Sequence, residues 1–140
     1  MTTSLAQIRA GLQTRLLTVA GIHAYAEWPD QIVPPAALIR FDNGEYETAF
    51  GPIGDAQVTL NVEVHLALTL KGGLVNAQKM IEQYLDNYAP TSAYAAIAGD
   101  RTLGGVVNSV LIHRWRAEDS VEINGQEWMG AIIDAEIMYS

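Results

Sequence analysis

The chain contains no cysteine, few positive charges and no long apolar run. Without cysteine there is no disulfide framework and no thiolate nucleophile or ligand, which is compatible with a reducing cytoplasm. Eight Lys and Arg stand against sixteen Asp and Glu among 140 residues, a net charge of −8, and the cations are scattered. Binding a phosphate backbone requires clustered cations that release counterions, so sequence-specific nucleic-acid binding is not expected. An acidic protein could line a passage through which DNA slides without sticking, although most acidic proteins do nothing of the kind. Polar residues Gln7, Arg9, Gln13 and Arg15 interrupt any secretory leader, and no apolar stretch approaches the roughly 18 residues of a membrane span. A soluble protein without a membrane partner is expected.

What is present instead is alternation. From Asp55 to Leu70 the residues Val58, Leu60, Val62, Val64, Leu66, Leu68 and Leu70 occupy every second position, with Gln57, Thr59, Asn61, Glu63, His65 and Thr69 between them. Side chains alternate faces along a strand, so this is a strand with one apolar and one largely polar face. Val58 to Leu70 would span about 40 Å at strand rise, against a diameter of somewhat under 40 Å for a globule of this size. One very long strand is expected, reaching across its globule or beyond it to another subunit.

Around it, Leu5, Ile8, Leu12, Leu16 and Val19 recur at helical spacing, capped by Thr2, Thr3 or Ser4 and ending towards Gly21. Gly11 weakens such a helix by roughly 1 kcal/mol relative to Ala, which close packing against a neighbour would explain. Residues 23–28 and 36–41 suggest short strands on either side of a rigid connection through Pro29, Pro34 and Pro35. A second amphipathic helix follows Gly72 and Gly73 and stops by Pro90, and Ser92 caps a further helical turn, AYAAIA, ending at Gly99. Residues 106–117 read as a strand. Asn124-Gly125 then marks a hairpin before a last strand in which Met129, Ala131, Ile133, Ala135, Ile137 and Tyr139 share one face. The expected fold over residues 1–140 is a single α+β domain: a mainly antiparallel sheet with two amphipathic helices on one face. Residues 42–55, carrying Tyr46, Phe50 and Ile53, read as a protruding loop. It is either an ordinary connection or an arm that docks on another subunit.

Catalytic patterns are sparse. His23, His65 and His113 fall in separate strand-like segments without metal-ligand spacing. Glu63 and His65 share a strand face and are the one pair that an enzyme using metal or acid–base chemistry would draw on. The acidic groups Asp42, Glu45, Glu47 and Glu118, Asp119, Glu122 follow no calcium-loop spacing and read as solvated loops. Ser109 and Ser120 lie in no nucleophile motif. Gly72-Gly73 lacks the rest of a phosphate loop and reads as a turn. No catalytic, metal or cofactor residues are assigned, and the chain is not expected to be an enzyme.

Taken in order, several features resemble the tail terminator proteins of long-tailed bacteriophages, also described as tail-completion or neck proteins. They are the opening helix, the segment from Trp28-Pro29 to Pro34-Pro35 running into ALIRF, the loop, the alternating strand, GGLVNAQKMIEQYL, SAYAAIAGDRTLGGVV and INGQEWMGAIIDAEI. The most distinctive phrase is GDRTLGG, Gly99 to Gly105. The resemblance implies a non-enzymatic homo-oligomer, generally a hexameric ring, that caps the tail tube and joins it to the head-side connector. It also implies α+β subunits around a channel through which DNA passes. The tail-tube protein and the head-side connector would be its partners, in the virion neck and, during assembly, the host cytoplasm. Tyr46, Phe50, Ile53 and Asp55 are the expected subunit-interface residues. A head–tail connector or tail-tube protein of the same architecture, or a dimeric ligand-binding module, stays open beside this reading.

Overall fold

A computed structural model describes residues 3–19, 21–47, 57–69, 73–87, 92–123 and 126–140. Three helices, α1 (Leu5–Leu16), α2 (Leu74–Leu85) and α3 (Ala93–Ala98), accompany five strands: β1 (His23–Tyr25), β2 (Ala36–Glu47), β3 (Gln57–Leu68), β4 (Ser109–Ile123) and β5 (Gln126–Tyr139). The strands form one open mixed sheet in the order β1-β2-β3-β5-β4. Only β1 is parallel to its neighbour, pairing with β2 over Ala36 to Leu38. This is an α+β arrangement, as the one-sided strands and helices require.

The alternation sets which way each strand faces. Val58, Leu60, Val62, Val64, Leu66 and Leu68 of β3 are buried together with Met129, Ala131, Ile133, Ala135, Ile137 and Tyr139 of β5. The antiparallel register pairs even-numbered residues of the one with odd-numbered residues of the other, from Val58 opposite Tyr139 to Leu68 opposite Met129. Against this layer lie Ile8, Leu12 and Leu16 of α1, Ala77 and Ile81 of α2, and Ala93, Ala96 and Ile97 of α3. All three helices therefore cover one face. Leu5 departs from the expected stripe and is exposed.

Local caps place the helices. Ser4 accepts from the Gln7 amide while Gln7 Oε1 accepts from the Ser4 amide, a reciprocal capping box at the start of α1. Ser92 accepts from the Ala95 amide at the start of α3. A Cβ on Gly11 would stand 3.2 Å from Cβ of buried Leu103. The glycine is thus explained by a close neighbour, contributed by the GDRTLGG turn. In that turn Asp100 accepts from the Thr102 and Gly104 amides, and Leu103, Gly104 and Gly105 all have positive φ. Arg15 of α1 donates to the Ala96 carbonyl beside it. The phrase does structural work, docking a left-handed turn onto α1.

Two expectations change. The length assigned to one strand is shared by four: β2 and β3 have 12 residues each, β4 has 15 and β5 has 14. The expected short strand at 36–41 also continues through Glu47, with Asn43 to Glu47 paired to Asn61 to Gln57 after a register shift at Phe41 and Asn43. Gly, Asp and Asn made 42–47 look like a loop, but β3 offers the backbone of residues 43–47 a ladder of partners. At the other end of β2, Ala36 to Ile39 are buried on both faces. There Ala36, Leu38, Ala67 and Trp128 form a second small cluster with Tyr25 and Ile32. Among the described residues no helix is long and apolar enough to cross a membrane.

Candidate functional site

The sheet face opposite the helices carries the charges. Register puts Arg40 opposite Glu63 and Glu63 opposite Asp134, with Asp134 also opposite Arg114. Two carboxylates side by side across a strand pair repel each other. Arg116, diagonal to Asp134, resolves this: its guanidinium donates to Glu63 Oε2 at 3.0 Å and to both Asp134 oxygens at 3.0 and 3.1 Å. Arg114 Nε donates to Asp134 at 2.7 Å, and Arg40 lies 3.5 Å from Glu63.

These carboxylates are largely buried, with side-chain exposures of 15% for Glu63 and 18% for Asp134. Burial alone would raise their pKa values. His65, Arg116 and Arg40 outweigh it at Glu63, and Arg116 and Arg114 outweigh it at Asp134, so both carboxyls titrate below their ordinary values. The hydrogen bond to Asp134 correspondingly raises Arg116. This is a pre-neutralised ladder of ions, satisfied within the chain.

The pair Glu63 and His65 does come together, with Nε2 of His65 3.0 Å from Glu63 Oε1. Trp28 and His65 pack edge to face, with 5.3 Å between ring centroids. The second Glu63 oxygen is taken by Arg116, and two guanidiniums beside it disfavour a cation. Among the described residues no three His, Cys, Asp or Glu side chains are grouped to hold a metal ion. His113 pairs instead with Glu136 at 2.9 Å, and His23 begins β1. Asp42, Glu45 and Glu47 are exposed on β2. The side chains of Glu118, Asp119 and Glu122 lie outside what is described, as does Gly72, while Gly73 caps α2 with φ 94°.

The two sides of the sheet end differently from its middle. Among the described residues, the outer side of β2 has no strand partner beyond Leu38, and β4 pairs with β5 alone. Of the four expected interface residues, Tyr46 is placed near the end of β2 and is 78% exposed. Phe50, Ile53 and Asp55 lie outside the described residues. On the opposite edge Trp115 is 56% exposed in the middle of β4, beside an apolar groove lined by Ile81, Leu85, Ala117 and Met129. Trp115 did not stand out in the sequence; its signal was the triplet Arg-Trp-Arg, an aromatic residue alternating with charge in a strand whose Leu111, His113 and Ala117 are exposed as well. The scan against protein-family models finds no match, and the search of curated proteins finds none.

Proposed function

We propose that the chain is a structural subunit of a homo-oligomeric ring, a tail terminator that caps the tail tube of a long-tailed bacteriophage and joins it to the head-side connector. The observation that carries this reading is the one-sided cover of an open sheet: among the described residues, three helices lie on one face, an ion-paired face on the other has none, and two long edges have no strand partner. Unpaired edges are ordinarily covered or shortened because they recruit further strands. Here they are long and carry exposed aromatic side chains, which suits a wall built from repeated sheets. The ordered resemblance of the sequence to tail terminators supplies the station in the neck, and the net charge of −8 suits a channel that DNA traverses without binding.

Size-exclusion chromatography with light scattering, followed by negative-stain imaging, tests the reading. Rings with the mass of about six chains are expected, more abundant when tail tubes are added. A chain that stays monomeric at high concentration and binds no tube is not a terminator, and a two-fold dimer would favour a ligand-binding module.

A further inference from the structure

The two open edges carry matching triplets of opposite charge. Near the end of β2 stand Glu45, Tyr46 and Glu47, and in the middle of β4 stand Arg114, Trp115 and Arg116. All but the half-buried Arg116 are exposed. From these placements we infer that Glu45-Tyr46-Glu47 of one copy pairs, antiparallel, with Arg114-Trp115-Arg116 of a second copy, Tyr46 opposite Trp115. The interface rests on the ring reading for its closure, and on the sheet alone for its register.

Strand direction allows it. Three antiparallel steps separate β2 from β4, through β3 and β5, so the two run oppositely within one chain. A copy added in the same orientation presents its β2 antiparallel to β4.

Side-chain facing also agrees. Tyr46 stands opposite Val58 and Trp115 opposite Ile133, both buried under the helices, so the two aromatic residues share the helix-covered face. Glu45 stands opposite Thr59, while Arg114 reaches Asp134 on the bare face. With Tyr46 opposite Trp115, Glu47 meets Arg114 and Glu45 meets Arg116 on that bare face. A slip of one residue would put charges against aromatics on both faces.

The charges choose between partners. Pairing β4 with another β4 around this segment sets arginines against arginines, and β2 with β2 sets carboxylates against carboxylates; only the mixed pairing joins opposite signs. It is therefore head-to-tail, the kind of contact that generates rings when its rotation closes. Arg114 has room for a further carboxylate, since it is exposed and shares Asp134 with Arg116, which also reaches Glu63.

The geometry favours closure. Within one sheet Tyr46 is level with Val58, Tyr139 and the position just before Ser109. Moving Tyr46 to Trp115 shifts neighbouring sheets by roughly six residues, about 20 Å, against about 19 Å for four strand spacings. Strands would tilt about 45° to the ring axis, at the upper end of the range for closed barrels.

Since the chain has no cysteine, disulfide trapping tests the register directly. Chains carrying Tyr46→Cys are mixed with chains carrying Trp115→Cys and oxidised gently, then analysed by non-reducing electrophoresis and mass spectrometry. Directly opposed residues are near enough to bridge, whereas a diagonal pair about 7–8 Å apart is not. A dominant 46–115 cross-link is expected, with little from Gly44→Cys and Trp115→Cys, where Gly44 has room for a side chain. The exposed double change Glu45→Arg with Glu47→Arg should weaken self-association on the order of tenfold or more without altering the melting temperature of the monomer. Rings that form normally with no 46–115 cross-link would overturn this interface and leave the ring reading standing. Dominant 115–115 cross-links would replace it with a two-fold contact. Monomers without any cross-link would remove both.

Discussion

The two faces of this sheet solve different problems with the same strands. On the helix side, alternating aliphatic residues of β3 and β5 meet three helices, and burial there supplies stability that depends little on the identity of any one contact. On the bare side, Glu63, Asp134, Arg40, Arg114 and Arg116 occupy the intervening positions and satisfy one another. Ion pairs of this exposure contribute little net stability, since desolvation offsets much of their attraction. What they add is register: each guanidinium reaches its carboxylates only when the strands are aligned as they are. The apolar face holds the sheet together, and the charged face fixes how it is aligned.

Removing a side chain from each face separates these roles. The largest effect is expected at Ile137→Ala, a fully buried position under the helices, where the lost transfer energy and the cavity together cost about 2–5 kcal/mol in urea denaturation. Asp134→Ala on the other face leaves Arg114 to water while Arg116 keeps Glu63, and should cost less, about 1 kcal/mol. A loss at Asp134 equal to that at Ile137 would show that the charged face is a second core.

The smallest effect concerns pH. Glu63 and Asp134 titrate below their ordinary values in the folded chain, so the unfolded chain takes up their protons first as the solution is acidified. Their contribution is fully present above the ordinary carboxylate range and is lost as pH falls through the depressed folded values. Thermal melts from neutral pH into that acid range should show a decline that is shallower in Glu63→Gln and Asp134→Asn chains. An unchanged slope would mean that the ladder contributes nothing to stability.

How much of this was legible in the sequence follows from the same contrast. The apolar face was, because burial imposes a period of two that β3 and β5 display, and helical spacing placed Ile8, Leu12 and Leu16 on one side of α1 in the same way. Ser92 and the span of α3 followed from capping chemistry. The charged ladder was not, since Arg116 meets Glu63 only through the order β3-β5-β4, which no local pattern encodes. The extension of β2 was missed because Asp42, Asn43 and Gly44 have turn chemistry, and only pairing with β3 overrides it. Tyr46 was singled out for its exposure, correctly placed as an exposed aromatic residue but on a strand instead of a loop. The exposure of Trp115 follows from its place on an edge strand, which the local sequence does not encode.

The order of the strands has one more consequence, for time. β3 and β5 are flanked by strands on both sides, whereas β4 has, among the described residues, a strand on one side alone. Hydrogen exchange should therefore be slow at the centre of the sheet and fast along its rim. If copies join, the rim of β4 around Trp115 becomes the segment whose exchange slows most, and that slowing records how long a subunit stays in place before it is released.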